Sequence, residues 1–247
     1  MTHFEPRVAL ASLSGQSDAA WAAGVAEYVG AAFLGGIALD EPTRAAAREM
    51  ATRDREEFLP PDPVAFVEDE FAALVDVAVR PGINVRTTSL DPLRAVAEMC
   101  RKHDAILEIN AHCRQAEMCA AGAGETLLVE EDRLREQVAA AADTGATVSV
   151  KVRAEVAGVD LPDLSKSLAD AGADAIHVDA MDSEAIVGEV SEAADAAVIA
   201  NNGVRNAATT REYLECGADA VSVARASDEP AVLGRVRGAT TAFFHGD

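Results

Sequence analysis

An asparagine and a cysteine, spaced Asn110-x-x-Cys113, follow directly on a short apolar run of Ile106, Leu107 and Ile109. The run is too brief for a helix and reads as a strand, so the two polar residues fall at its end. An amide and a thiol held in one mouth can work together, the amide holding a ring carbonyl while the thiol delivers a proton. The alternative is that Cys113 is a half-buried loop cysteine with no chemical use. Lys151, in the segment VSVKVR, is the second candidate. The chain has only three lysines, Lys102, Lys151 and Lys166, and Lys151 alone lies in a strand pattern. A cation directed into a cavity suits an anionic ring or a phosphate. The alternatives are a lysine paired with an acid such as Glu108, or one at the surface. The third candidate is a pair of turns: IANNGV places Asn202 and Gly203 after a strand, and VARAS places Arg225 and Ala226 before a helix. Backbone amides at such turns bind phosphate. An ordinary left-handed turn beside a surface arginine is the other reading.

These residues need elements to position them, and the chain reads as eight strand–helix units. Strands are expected at Val8 to Ala11, Ala32 to Leu39, Ile83 to Thr87, from Ile106, and at Thr147 to Val152, Ala175 to Val178, Ala197 to Ala200 and Ala220 to Ala224. Helices fill the intervals near 131–143, 162–172, 183–194, 207–216 and 229–242. Asp91 is placed to cap another helix, with Pro92 at its first position. Gly172 and Gly217 each precede a strand within matching signals, AGAD and CGAD, as left-handed caps. Residues 41–82 hold two helical patterns split by Pro60, Pro61 and Pro63, a helical excursion that could serve as a lid. Eight alternations argue a (β/α)8 barrel, one domain over residues 1–247. An open doubly wound sheet ranks lower, because Gly122-x-Gly124 lacks the third glycine of a dinucleotide turn.

A barrel of this kind does its chemistry at the carboxyl ends of its strands. There the chain offers Ser12, Ser14, Gly15 and Gln16, then Arg86 and Thr88, then Asn110, His112 and Cys113. Further round come Lys151 and Arg153, His177 and Asp179, Asn201, Asn202 and Gly203, and Arg225. A lone histidine in a strand, such as His177, is more often a satisfied core residue than a ligand.

Asn110 to Leu128 resembles the flavin-dependent dihydrouridine synthases and related flavin-binding barrels, whose signature runs N-x-G-C-P, a basic stretch, then G-x-G-x-x-L-L. Asn110, Cys113, Gly122, Gly124, Leu127 and Leu128 match it without a gap; His112 stands at a glycine and Arg114 at a proline. The resemblance implies FMN as cofactor and a nicotinamide nucleotide, NADPH or NADH, as electron donor. It implies Cys113 as the acid and Asn110 facing the substrate, and action on the C=C bond of a uracil-like pyrimidine. Lys151 looks like the family lysine that contacts the flavin ring, and Arg153 keeps its second basic position. Arg86 stands where a flavin-contacting glutamine is expected. The family's strand-six histidine falls on Asp179, which favours a cationic or hydroxyl-bearing group there. Asn202-Gly203-Val204-Arg205 and Ala224-Arg225-Ala226 are similar to its phosphate loops. ASLSGQSD is similar to its first strand, with Ser12 replacing a proline.

The chain carries 21 basic and 42 acidic residues, a net charge of −21. Such an acid excess with so little lysine suggests a cytoplasm of high salt, where screening makes the repulsion tolerable. An acidic protein with a basic partner is the alternative. Cys100, Cys113, Cys119 and Cys216 show no metal spacing and no disulfide framework, which fits a reducing cytosol. No signal peptide and no membrane-crossing run is expected. The resemblance makes tRNA a possible partner, but the charge disfavours it, as does the expected absence of the family's further helical domain, so a small-molecule or nucleotide substrate is expected. A flavin-free barrel binding a phosphorylated metabolite and a non-catalytic binding module are the competing readings. The oligomeric state is open, a homo-oligomer included.

Overall fold

A computed structural model describes residues 4–53 and 55–246. Eight parallel strands close into a barrel in sequence order. They are β1 (Val8–Leu10), β2 (Ala31–Ala38), β3 (Arg80–Arg86), β4 (Ile106–Asn110), β5 (Thr147–Arg153), β6 (Ala175–Asp179), β7 (Ala197–Asn201) and β8 (Ala220–Val223). β8 pairs back onto β1, Val8 opposite Val221, which closes the ring. The strands are buried on both faces, as in a barrel wrapped by helices. Side chains pointing outward, such as Leu107, Val148, Val150, Ile176 and Val221, join one large core beneath the helices. Inside the barrel, the lower layer is also apolar. There Phe33, Ile106 and Ile199 fill the space left by Ala9, Ala31, Ala175, Ala197 and Ala220.

The helices are α1 (Ala19–Gly24), α2 (Glu41–Ala51), α3 (Pro63–Ala73), α4 (Leu90–Lys102), α5 (Ala116–Ala120), α6 (Thr126–Val129), α7 (Glu131–Ala142), α8 (Leu161–Asp170), α9 (Ile186–Ala193), α10 (Ala207–Glu215) and α11 (Pro230–His245). Among the described residues, none is long and apolar enough to cross a membrane. Gly172 and Gly217 do take positive φ, 109° and 103°, after their helices.

Two expectations change. The excursion is not all decoration. α3 packs between α1 and α4 and belongs to the ring of helices around the barrel, and β3 already begins at Arg80. The split at the prolines holds: Pro63 starts α3, because Asp62 caps it and a proline at the first position loses no intrahelical bond. The true addition is α2 with the segment after it, at the mouth. α2 packs on α5 through Ala46, Met50, Met118 and Ala123. The second change is at α4, where Ser89 has the extended backbone of the cap and Asp91 lies inside the first turn. There its charge still complements the free N–H groups.

Candidate active site

Above the apolar layer the barrel interior turns polar. Asn84, Glu108 and Ser149 lie side by side on β3, β4 and β5, and Lys151 stands opposite His177 on β6. Glu108 carries a chain of hydrogen bonds. Asn84 Nδ2 donates to its Oε1 at 2.8 Å, and His177 Nδ1 lies 2.6 Å from its Oε2. His177 Nε2 is 2.7 Å from Ser222 Oγ, which also accepts from Asn201 Nδ2 at 2.8 Å. At the other end, Asn110 Nδ2 donates to Asn84 Oδ1 at 2.8 Å. All these side chains are buried. His177 is thus the satisfied core histidine that its isolation in a strand suggested.

The acid named as a partner for Lys151 is therefore engaged elsewhere. Lys151 is buried, yet among the described residues its ammonium makes no hydrogen bond or ion pair, and it lines the cavity above. Burial pushes its pKa down, and the charges of Glu108 and Asp179 oppose that. At the end of β4, Asn110 shapes the loop that carries the thiol. Its Oδ1 accepts from Cys113 N at 3.1 Å and His112 N at 3.4 Å, and lies 3.3 Å from His112 Nδ1. The glycine turn folds back onto this loop. A Cβ at Gly124, where φ is 64°, would lie 2.2 Å from the Cys113 carbonyl oxygen, so only glycine fits. Cys113 is half-buried and faces the cavity. Cys119 sits on α5 and its thiol lies 3.5 Å from the Cys113 carbonyl oxygen.

A cavity of about 1020 Å³ opens at the carboxyl ends of the strands. Its walls include Cys113, Asn110, Lys151, Arg153, Asp179, Asn202, Gly203, Arg225, Ala226, Ser12 and Arg86. Ser14, His112 and Asn201 from the strand ends line it too, whereas Gly15, Gln16, Thr88 and His177 do not. Their partners differ. Arg153 pairs with Glu125 at 3.0 Å. Arg86 is turned aside: it hydrogen-bonds Ser14 and pairs with Glu57 at 2.7 Å, and both side chains of that pair are buried. Asn202 has φ of 91° and donates to the Met181 carbonyl at 3.2 Å, setting the turn that exposes Gly203. Arg225 is exposed, beside Arg205 and Arg235, and none of the three has an ion pair among the described residues. Glu229, at the N-cap position of α11, and Asp179 are the two acids lining the cavity among the described residues.

Sequence reasoning missed Glu57, Ser222 and Arg235. Glu57 lies in an irregular segment with no periodicity to mark it. That segment is fixed from below, because a Cβ at Gly15 would sit 2.4 Å from Glu56 Cβ. Ser222 had a signal, a polar residue at an inward position of an otherwise apolar strand. Arg235 lies one helical turn into α11, beyond the strand ends.

This architecture defines a (β/α)8 barrel with a polar, cationic mouth. The model of the dihydrouridine synthase family matches residues 84–245, and the chain belongs to that family. An uncharacterized protein of Methanocaldococcus jannaschii is 26% identical over 244 residues, covering 91% of this chain and 90% of the relative. Among solved structures, morphinone reductase in complex with tetrahydroNAD aligns with a TM-score of 0.66 at 13% identity, over 94% of this chain and 87% of that one. A FabK mutant from Thermotoga maritima aligns at 0.57 and 14% identity, over 89% of this chain and 60% of that one. At such identities these two structures show the shared barrel alone.

Proposed function

We propose that this chain is an FMN-dependent oxidoreductase acting on the C=C bond of a uracil-like pyrimidine, with Cys113 as the proton donor. The observation that carries the reading is the pairing of a buried, partnerless Lys151 with Cys113 on the wall of the same cavity, among the described residues. The residues fit FMN. The cavity is at the upper end of the size of small-molecule sites. Lys151 would face the ring. The Gly203 turn would take the phosphate, since the space where a Cβ would project is open to 4 Å, and Arg225 stands with Arg205 and Arg235 on the same wall. FMN, when bound, supplies the hydride chemistry, and NADPH or NADH would be the source of electrons. The chain's own part is to orient and to move a proton. Asn110 fixes the loop so that Cys113 Sγ meets the ring carbon beside the one reduced. His112, neutral because burial lowers its pKa with the cations Lys151, Arg86 and Arg153 adding to the effect, walls the same side. One observation favours the reading without flavin, a barrel for a phosphorylated metabolite: Arg86, expected at the ring, is held by Glu57, whereas the arginines of the phosphate end have no ion pair among the described residues. The acidic surface supports a small substrate over tRNA bound by this chain alone.

The test uses FMN-loaded, chemically reduced protein with uracil, uridine nucleotides and tRNA as substrates. Positioned proton transfer contributes roughly 10²–10⁴-fold in rate, so Cys113→Ala should lose about that much turnover while flavin binding and reduction stay intact. Cys119→Ala should change little. Equal turnover in wild type and Cys113→Ala would remove the cysteine acid and move the non-catalytic reading ahead.

A further inference from the structure

The charge of the cavity runs against the charge of the chain. Among the described residues, eight basic residues line it against two acidic ones, in a chain of 21 basic and 42 acidic residues. A cationic mouth thus sits in a strongly acidic surface. Three arginines at the β7–β8 end answer one phosphate, and Lys151 answers a ring. Arg114 is left over. It follows Cys113 directly, is exposed to the cavity, and among the described residues has no ion pair or hydrogen bond. On the segment beside it, Arg55 also lines the cavity. Its Nε is buried without a hydrogen-bond partner and only approaches Glu57 Oε1, at 3.7 Å. The Arg53–Glu117 ion pair and the packing of α2 on α5 hold that segment against the cysteine loop.

His112 stands on the other side of the thiol. Its Nδ1 lies 3.3 Å from Asn110 Oδ1, which can only accept, so Nδ1 carries the proton. Nε2 is then a lone pair, and the ring lines the cavity. The thiol is thus flanked by one hydrogen-bond acceptor and one free cation. These are also the two positions where the chain departs from the N-x-G-C-P pattern.

We infer that the substrate carries its own anionic group, a carboxylate or a phosphate monoester, held by Arg114 with Arg55, and donates an N–H or O–H to His112 Nε2. The inference rests on the reading of the site as one for a small unsaturated ring. A long polyanion would meet the acidic surface before the mouth, whereas a small anion can enter and be held where the cations are.

Calorimetry on FMN-incubated protein, with flavin content measured in the same samples, tests it. The probes are uracil, orotate with a carboxylate on the ring, and uridine 5′-monophosphate with a phosphate beyond the sugar. At least one anionic probe should bind tenfold or more tighter than uracil, and which one identifies the anion. Arg114→Ala should weaken that probe by about tenfold and leave uracil within twofold. His112→Gly should weaken all probes that bind by about fivefold. The inference is overturned if uracil binds as tightly as both anions, if neither anion binds at millimolar concentration, or if Arg114→Ala changes nothing. Anion binding that depends on Arg114 in protein free of flavin would keep the inference and remove the flavin reading. Flavin-loaded protein without anion preference would do the reverse.

Discussion

Glu108 on β4 and His177 on β6 meet at 2.6 Å across the barrel interior, both side chains fully buried. Burial raises the Glu108 carboxyl, but His177, Lys151 and the Asn84 hydrogen bond outweigh it and hold the pKa below the usual carboxylate range. Burial lowers His177, and the pull of Glu108 does not restore it. The pair is an anionic carboxylate accepting from a neutral imidazole, with Ser222 donating to Nε2. The floor beneath Lys151 is therefore a negative charge that another group already occupies. Removing Glu108 leaves the buried donors of His177 and Asn84 unmet, at roughly 1–3 kcal/mol each. Glu108→Ala should cost about that much in denaturant unfolding, and a loss below about 1 kcal/mol would show that the network is not intact in solution.

Asp40 ties α2 to the loop after β3. It accepts from Thr43 N and from Thr88 N and Oγ1, and these bonds outweigh its burial and lower its pKa from 3.8 to about 2. A carboxyl depressed in the folded state stabilises at pH above its unfolded pKa, and that stability is lost as pH falls through the folded value. Stability should therefore decline as pH falls from about 4 to about 2. Asp40→Asn should lower stability at pH 7 and flatten the acid limb in thermal melts across that range. An unchanged acid limb in the variant would assign the decline to other groups.

With a net charge of −21, self-repulsion opposes the compact state and salt screens it. The melting temperature should climb from low to molar KCl. A flat or falling curve would remove the reading of a chain adapted to high salt.

The barrel was legible because eight short apolar runs alternate with helical patterns and turn glycines. The polar mouth was legible because polar residues at the ends of apolar strands have few other reasons to be there. Asn110, Cys113 and Lys151 fell out of that rule. Their partners did not, because register across a closed sheet is a tertiary property. Nothing local marks Glu108 as the partner of His177 rather than of Lys151. The contacts of Asn110 and Arg86 were hidden for the same reason: one supports the cysteine loop, and the other pairs with Glu57 from an irregular segment. The excursion divides at its prolines as expected, but only packing shows that its second helix joins the ring.

The flavin content of the purified chain tests the central claim most directly. The protein is denatured, released FMN is quantified by absorbance, and the measurement is repeated after incubation with excess FMN and removal of the unbound fraction. Close to one FMN per chain is expected after incubation, with Lys151→Ala weakening the affinity about tenfold or more, as for a lost charged hydrogen bond. No flavin in either sample, or a Lys151→Ala variant that binds FMN as tightly as the wild type, would contradict it.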